Sequence, residues 1–329
     1  MSDKKILYLS SDDVQKSISM IDAINAMEDA FSQLSSGEAK VPLRSHIEIS
    51  EKNAGALFMP VYLPKNNLIG LKSVSIFTEN GSKGLPFIHA LIMVLSGETG
   101  EPVAVMNGEF LTAIRTGAAS GLATKLMSKK NASTGALIGA GVQGEKQIQA
   151  VYAVRNISKF YVLDIDINRA KEFVKRISGN MDCELIACDD RSVLKNADII
   201  CTATSSKLPV VLRENISEGT HINGIGSYRP DMCEIGASII QSAKIVVDSR
   251  KACLSEAGDL IQPIKNRLIN ESHIVAELGE IVDNKVKYKF DENDITVFKS
   301  VGNAVQDLAV ADIVIKNAIK NGYGTFLPL

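Results

Sequence analysis

The segment 133–144 constrains the fold of this chain more than any other. It reads Ser-Thr-Gly-Ala-Leu-Ile-Gly-Ala-Gly-Val-Gln-Gly, which predicts a short apolar strand, a glycine turn and the start of a helix. This G-x-G-x-x-G pattern is typical of a βαβ unit that binds a dinucleotide. Gly139 permits the tight turn, Gly141 lets the backbone approach a pyrophosphate, and Gly144 lets the helix pack on the strand. The unpaired amides of the first helical turn attract phosphates. The other loop residues that we assign to the cofactor are Ala140, Val142 and Gln143.

The residues after this motif indicate which dinucleotide binds. The apolar run 159–163 predicts a second strand, and Asp164 follows Gly144 by twenty residues. That spacing is typical of an acid that binds the adenosine ribose hydroxyls. A carboxylate there repels a 2′-phosphate, and Ile165 stands where an NADP site usually has an arginine. We therefore expect NAD as the cofactor, with NADP possible. A structural glycine turn in an unrelated α/β fold is the alternative.

Length and composition exclude several other classes of protein. The 329 residues suggest about two domains, and the net charge of −2 gives no electrostatic basis for binding nucleic acid or an anionic membrane. The chain has no apolar run of about 18 residues, which is the length that would predict a membrane span. The five cysteines form no C-x-x-C pair and, with the four histidines, no metal-binding spacing. With no signal-peptide pattern at the amino terminus, we expect reduced thiols, a cytoplasmic location and no metal.

Two kinds of pattern follow one another along the chain. Strand-like runs with turn residues between them predict an α+β unit over the first 110 or so residues. Residues 131–300 alternate strand and helix, which predicts a doubly wound parallel sheet. A final helix at 303–321 has apolar residues on one face and is expected to return to the first domain. We place a Rossmann domain at 116–303 and the second domain at 1–115 and 304–329. The predicted strands are 5–9, 44–49, 55–62, 68–76, 87–95, 103–106, 184–187, 198–202, 219–223 and 244–248.

Three basic residues stand among apolar or small neighbours. Arg44 follows Val-Pro-Leu, Lys72 interrupts an apolar strand, and Arg115 lies in a helix of small residues. A charge in such a setting is costly unless it is paired or meets a ligand. Arginine presents a planar fork that matches a carboxylate. For each residue alone, a structural ion pair or a solvated head group on a buried stem is the alternative.

Several motifs together resemble the ornithine cyclodeaminase/mu-crystallin family. They occur in order through most of the chain and are more specific as a set than the glycine turn. They are Val41-Pro42-Leu43-Arg44, Phe58-Met59-Pro60, Leu71-Lys72, Ser96-Gly97-Glu98-Thr99-Gly100, the arginine motif from Thr112 to Ala119, Gly139-Ala140-Gly141-Val142-Gln143 and Gly224-Ile225-Gly226-Ser227.

The resemblance implies a homodimer in which each subunit has a Rossmann domain and an N-terminal dimerisation domain completed by a C-terminal helix. It also implies an active site between the domains. In that site Arg44, Lys72 and Arg115 bind the substrate carboxylate, and Lys72 is also a catalytic candidate. Further substrate contacts are expected from Met59, Tyr228, Val301 and Gly302. Further cofactor contacts are expected from Thr116, Ile165, Thr202, Ala203, Thr204 and Val301.

One loop departs from the family pattern. Cyclodeaminases and the related alanine dehydrogenases carry an Asp at the position of Tyr228, whereas the acid of this loop is Asp231, after Arg229-Pro230. The Arg-Pro-Asp form resembles the ketimine and cyclic-imine reductases of the family. Asp231 is therefore a catalytic candidate, and a turn acid paired with Arg229 is the alternative.

These observations predict an NAD(P)H-dependent imine reductase or amino acid dehydrogenase. Its substrate would be a small α-imino or α-amino acid, for example a cyclic ketimine such as pyrroline-2-carboxylate, with hydride transfer at Cα. The alternatives are an ornithine cyclodeaminase that recycles NAD, an alanine dehydrogenase-like activity, and a crystallin-like nucleotide-binding protein without catalysis.

Overall fold

The chain divides into two units in this computed structural model, which describes residues 4–286 and 290–329. The first unit runs to Arg115 and resumes over Asn303–Leu329, and the second is Thr116–Gly302. Residues 1–3 of the domain that the sequence predicts at 1–115 lie outside the described part. Helix α3 (Gly108–Met127) crosses the division between the units.

The first unit is built on a seven-stranded, largely antiparallel sheet. Its strand order is β15-β1-β6-β5-β4-β3-β2, and among the described strands of this sheet only β1 and β6 pair in parallel. Burial alternates along the strands, so the side chains of one face of the sheet are buried in the core. The strands are β1 (Lys5–Leu9), β2 (Ser45–Ile49), β3 (Ala54–Leu63), β4 (Leu68–Phe77), β5 (Ile88–Ser96), β6 (Pro102–Asn107) and β15 (Thr325–Pro328).

Helix α10 (Ala304–Asn321) packs on the core face of this sheet. Asn303 begins it with a capping box that includes Gln306, and Gly322 ends it in the left-handed conformation at φ 71°. Leu308 lies against Gly70 of β4, where a Cβ would lie 3.0 Å from Leu308 Cδ1. The helix therefore packs closely over β3 and β4. The other helices of this unit are α1 (Ser11–Lys16) and α2 (Met20–Ser35).

The second unit is an eight-stranded parallel sheet in the order β13-β12-β14-β11-β10-β7-β8-β9. The order reverses between β7 and β10, which confirms the predicted doubly wound topology. The strands are β7 (Thr134–Ile138), β8 (Lys159–Leu163), β9 (Glu184–Cys188), β10 (Ile199–Thr202), β11 (His221–Gly224), β12 (Lys244–Val247), β13 (Ile274–Glu277) and β14 (Thr296–Lys299). The helices are α4 (Val142–Val154), α5 (Ile167–Ile177), α6 (Ala237–Ser242), α7 (Arg250–Glu256), α8 (Gly258–Lys265) and α9 (Leu278–Val282).

Both faces of the parallel sheet are covered. Ala136 and Ile138 of β7 enter one hydrophobic cluster, while Leu137 between them enters another. Successive strand residues point to opposite faces, so both clusters draw on the same strands. None of the helices in the described part of the chain combines the length and the hydropathy that a membrane span requires.

A buried histidine makes the stability of this unit depend on pH. The Nδ1 and Nε2 atoms of His221 lie 2.8 Å from Thr296 Oγ1 and 3.2 Å from Asn223 Oδ1. Burial lowers the pKa of His221 from 6.5 to about 3. The unfolded chain protonates this ring below about pH 6.5, whereas the folded chain does not. The stabilisation is therefore complete above that pH and is lost as the pH falls, by about 1.4 kcal/mol per pH unit.

The variant His221→Gln, which keeps polar partners but cannot titrate, tests this account. Urea unfolding at about pH 7.5 and about pH 5.5 would give the loss of unfolding free energy between the two conditions. We expect that loss to be smaller in the variant than in the wild type by about 1.4 kcal/mol. Equal losses in the two proteins would contradict the assignment.

Candidate active site

The turn from β7 into α4 has the geometry of a phosphate-binding loop. Gly139 has φ 108°, and a Cβ there would lie 2.5 Å from Ala203 O. A Cβ on Gly144 would collide with Gly139 O, whereas a Cβ on Gly141 would meet nothing within 4 Å. Gly139 and Gly144 are therefore required by packing, and Gly141 leaves an open approach to the first amides of α4. This arrangement fits a pyrophosphate.

Asp164 lies beside this turn, at the carboxyl end of β8. Its Oδ2 accepts a hydrogen bond from Ala140 N at 2.9 Å, and its Oδ1 lies 3.8 Å from Arg169 Nη1. A cavity of about 650 Å³ adjoins these residues. The size of the cavity and its mixed polar and apolar lining fit part of a dinucleotide, with the adenosine ribose beside Asp164. Lining residues include Gly139, Gly141, Asp164, Ile165, Arg169, Arg191, Ala203 and Thr204.

The remaining predicted cofactor residues lie in the same unit. The carbonyl oxygen of Thr116 accepts a hydrogen bond from Gln147 Nε2 of α4 at 3.4 Å. Val142 is exposed, and Gln143 Oε1 is buried with no hydrogen-bond partner among the described residues. The amides of Val301 and Gly302 donate to Asp248 Oδ2 at 3.0 and 2.8 Å. Asp248 therefore fixes the backbone at 301–302, after β14.

The first unit brings two of the predicted cations together around one carboxylate. Lys72 Nζ lies 2.7 Å from Asp307 Oδ2, and Arg115 Nε donates to Asp307 Oδ1 at 3.0 Å. All three side chains are less than a tenth exposed. Arg115 Nη1 also donates to Gln306 Oε1. Two cations thus share one buried acid, so the cluster carries a net positive charge.

Strand register and helix packing explain this cluster. Lys72 of β4 pairs with Met59 of β3, which is also buried, on the face that α10 covers. Gln306 and Asp307 lie in the first turn of α10 and meet Arg115 of α3. The Nε2 atom of Gln306 is buried with no hydrogen-bond partner among the described residues. The cluster therefore offers an unused amide donor beside an excess of positive charge.

The environment lowers the pKa of Lys72 from 10.5 to about 8. Burial is the largest cause, and the charges of Arg115 and Arg44 act in the same direction. The carboxylate of Asp307 opposes them. Arg44, which is half-buried, is thus close enough to Lys72 for their charges to interact. A lysine with this pKa stays mostly protonated near neutral pH and can release its proton more readily than an exposed lysine.

Asp231 lies in a different environment. Its Oδ1 and Oδ2 accept hydrogen bonds from Arg229 at 2.9 and 2.7 Å, and Lys207 Nζ lies 3.0 Å from Oδ2. These hydrogen bonds hold the pKa of Asp231 well below its usual range. Such a group stays ionised and is a poor proton donor. The geometry favours the ion-pair alternative for Asp231, and Tyr228 beside it is two-fifths exposed.

Sequence reasoning missed the acids and the amide that organise both units. Asp307 and Gln306 hold the cation cluster, and Glu234, Asp248 and Asp259 are buried in the second unit. A signal existed for some of them. Lys299 follows an apolar strand much as Lys72 interrupts one, and Asp307 stands within an apolar helix. A charge in such a place calls for a partner.

The parallel sheet, the glycine turn and the adjoining cavity define a Rossmann-type dinucleotide-binding protein. The chain belongs to the ornithine cyclodeaminase/mu-crystallin family, whose model matches residues 4–322. This confirms the resemblance read from the motifs. Over 321 residues the chain is 35% identical to the Delta(1)-pyrroline-2-carboxylate reductase of Bacillus cereus, covering 97% of this chain and 98% of that protein.

Solved structures give the same result. The Thermococcus litoralis Delta(1)-pyrroline-2-carboxylate reductase in complex with NADH and L-proline is 42% identical, with a TM-score of 0.93, and the match covers 97% of this chain and 99% of that one. An archaeal alanine dehydrogenase dimer with bound NAD is 33% identical, also with a TM-score of 0.93, over 99% and 100% of the two chains. Both of these similar structures contain the nicotinamide cofactor in its NADH or NAD form.

Proposed function

We propose that this protein is an NADH-dependent reductase of small cyclic imino acids such as Delta(1)-pyrroline-2-carboxylate, with the corresponding amino acid as product. One observation carries the proposal. Lys72 and Arg115 share the single carboxylate of Asp307 in a buried cluster that keeps a net positive charge. A buried excess charge is costly unless a ligand neutralises it. The carboxylate of an imino acid is such a ligand.

In this proposal each member of the cluster has a distinct task. The guanidinium of Arg115 and the free amide of Gln306 bind the substrate carboxylate and fix its orientation. Arg44 adds positive charge, and Met59 forms an apolar wall next to Lys72. Lys72 holds a proton at Nζ and delivers it to the imine nitrogen, so that nitrogen gains hydrogen as carbon does. Bound NADH would supply the hydride to the imine carbon.

The second unit supplies the cofactor site of this proposal. The glycine turn 139–144 and Thr116 hold the pyrophosphate, and Asp164 and Ile165 contact the adenosine ribose. Thr202 ends β10, Ala203 and Thr204 follow it, and Val301 follows β14. The nicotinamide half of a dinucleotide lies at these strand ends in this fold. The cavity beside Asp164 and the open approach at Gly141 support this assignment.

The acid at the end of β8 leads to a prediction about cofactor choice. We expect the wild type to bind NADH more tightly than NADPH, because Asp164 repels a 2′-phosphate. In Asp164→Ala, the guanidinium of Arg169 loses its carboxylate neighbour and can pair with that phosphate. The ratio of dissociation constants, measured by NAD(P)H fluorescence titration, should shift toward NADPH by about tenfold or more. An unchanged ratio would remove Asp164 as the determinant.

The activity is tested by following NADH oxidation with three kinds of acceptor. These are Delta(1)-pyrroline-2-carboxylate, pyruvate with ammonia, and 1-pyrroline, which lacks the carboxylate. We expect rapid turnover with Delta(1)-pyrroline-2-carboxylate. We expect no measurable turnover with 1-pyrroline, because it has no carboxylate for the cation cluster to bind. An absence of turnover with every imino acid would refute the proposal.

An alanine dehydrogenase activity is the second candidate. The archaeal alanine dehydrogenase is as similar in fold as the reductase, and the cation cluster can bind the carboxylate of either imino acid. Turnover with pyruvate and ammonia that exceeds turnover with the cyclic imino acid would favour it. Ornithine cyclisation has less support, because Asp231 is bound in an ion pair and Tyr228 replaces the expected acid.

We also propose that the protein is a homodimer formed through the uncovered face of the first sheet. Ala90, Ile92 and Val94 of β5 are buried, so Leu91, which alternates with them, lies on the other face. Leu91 is 48% exposed. It pairs with Ser73 of β4, which pairs with Phe58 of β3, so Phe58 lies on the same face two strands away. An exposed apolar sheet face of this kind is typical of an interface. Ile47, Ala56, Pro60, Leu71 and Met93 share this face by the same alternation.

The variant Leu91→Asp tests the dimer. A charge buried at a subunit interface costs several kcal/mol, so we expect the variant to elute as a monomer in size-exclusion chromatography with light scattering. Leu268→Asp is the matched control, because Leu268 is 42% exposed but belongs to the second unit. Dimeric Leu91→Asp, or equal dissociation of both variants, would contradict this choice of surface.

A further inference from the structure

Glu234 is a buried acid that the proposed chemistry does not use. It lies in the segment before α6 and has no exposed surface. Its two carboxylate oxygens accept five hydrogen bonds, which is more than a carboxylate in a simple ion pair accepts. A buried carboxylate with so many donors fixes the groups that donate to it.

The donors come from the ends of two adjacent strands. Thr202, the last residue of β10, donates from Oγ1 to Oε2 at 2.9 Å. After β10, Thr204 donates to Oε1 from its amide at 2.7 Å and from its hydroxyl at 2.8 Å. After β11, the amides of Gly226 and Ser227 donate to Oε2 at 2.7 and 3.1 Å. One side chain therefore holds both strand ends in register.

Two further buried charged residues, Asp259 and Lys299, fix the position of Glu234. Its amide donates to Asp259 Oδ1 at 2.6 Å, and Asp259 Oδ2 lies 3.1 Å from Lys299 Nζ at the end of β14. All of these side chains are fully buried. Burial raises the pKa of Glu234, and the charge of Lys299 opposes that rise. The three obligate amide donors favour the ionised form.

These strand ends form a wall of the cofactor cavity. Ala203 and Thr204 line it, and Ala203 O lies against Gly139 at the phosphate turn. Gly226 packs closely against this wall, because a Cβ on Gly226 would collide with Thr204 O and with Glu234 Oε1. In a doubly wound sheet, the strands on this side of the switch point, β10, β11 and β14, serve the nicotinamide half of the dinucleotide.

We propose that Glu234 is a positioning residue that shapes the nicotinamide half of the cofactor site by holding the ends of β10 and β11 together. This rests on the proposed cofactor, but not on the proposed substrate. Glu234 acts through Thr202, Thr204, Gly226 and Ser227, and the pair Asp259–Lys299 keeps its backbone in place. The adenosine half, built on Gly139–Gly144 and Asp164, does not depend on it.

The variant Glu234→Gln tests the proposal. A glutamine cannot replace the carboxylate, because in either orientation its amide group faces a backbone N–H of Thr204 or of Gly226. We expect the dissociation constant for NADH to rise by about tenfold or more, and that for 5′-AMP, which fills only the adenosine half, to change by less than about twofold. Both are measured by calorimetric titration. Unchanged NADH binding, or equal losses for both ligands, would overturn the proposal.

A milder pair of variants covers the case in which Glu234→Gln does not fold. Thr202→Val removes one of the five donors and keeps the shape of the side chain. Thr220→Val is the control, because Thr220 is equally buried but donates to Ala197 O before β11 begins. We expect Thr202→Val to weaken NADH binding about threefold or more and Thr220→Val to leave it unchanged. Equal effects would contradict the role of Glu234. If no variant or wild type bound NADH, the cofactor proposal itself would fail.

Discussion

Arg115→Ala is expected to lower kcat/KM for the cyclic imino acid by about a thousandfold, which corresponds to about 4 kcal/mol of transition-state stabilisation. The change removes the fork that binds the substrate carboxylate, and with it the orientation of the imine carbon. Steady-state kinetics under NADH saturation would measure the loss. Binding of NADH should change by less than about twofold, because the glycine turn and Asp164 belong to the other unit.

Arg115→Lys is the companion variant for this experiment. It keeps the charge beside Asp307 and so protects the buried cluster, but it loses the planar fork. We expect its kcat/KM to lie between those of the wild type and Arg115→Ala. Wild-type turnover in Arg115→Ala would show that the carboxylate binds elsewhere. A parallel loss of NADH binding would show that the variant is damaged as a whole.

Asp307→Asn is expected to move the alkaline limb of the kcat/KM profile to lower pH. The wild-type limb should fall through about pH 8, because Lys72 must be protonated and its pKa is lowered to about 8 by burial. Asp307 raises that pKa, so its replacement lowers it further. At about pH 8 the variant should lose about tenfold or more in kcat/KM. The ratio of variant to wild type at each pH cancels the titration of the substrate itself.

Asp312→Asn is the matched control for this pH profile. Asp312 lies on the same helix and is also buried, but it binds Lys316 Nζ at 2.8 Å and Asn66 Nδ2 at 2.7 Å rather than Lys72. The alkaline limb of the kcat/KM profile of Asp312→Asn should coincide with that of the wild type. A limb that stays at about pH 8 in Asp307→Asn would remove Lys72 as the proton donor.

The local features of the fold were predictable from the sequence. The glycine turn, the acid twenty residues after it and the alternating strands of the first unit each depend on neighbouring residues. The short strands Ile274–Glu277, Thr296–Lys299 and Thr325–Pro328 were not predicted. Other strands of four residues were predicted, so length alone does not explain the difference. Thr325–Pro328 pairs with β1 from the opposite end of the chain, which no local pattern indicates.

The candidate site was predictable only in part. Lys72 and Arg115 stood out because charged residues among apolar ones need partners. Asp307 did not, because its partnership with Arg115 spans 192 residues and depends on α10 packing over β4. For Asp231, the sequence indicated only one of its two ion-pair partners. The nearby Arg229 was visible in the sequence, but the ion pair with Lys207 appears only when the loops fold together.

Glu234 illustrates the same limit in the second unit. Its donors lie at the ends of two different strands, so no spacing in the sequence indicates that they converge. Positioning residues of this kind are defined by three-dimensional packing, whereas ligand-binding loops carry local signatures.

Isotope transfer tests the central claim most directly. The enzyme would be supplied with Delta(1)-pyrroline-2-carboxylate and with NADH that carries deuterium at both C4 positions, in ordinary water. The account predicts proline with one deuterium at Cα, detected by mass spectrometry and NMR, because the hydride passes directly from the nicotinamide to the imine carbon. Proline without deuterium at Cα, or no proline at all, would contradict it.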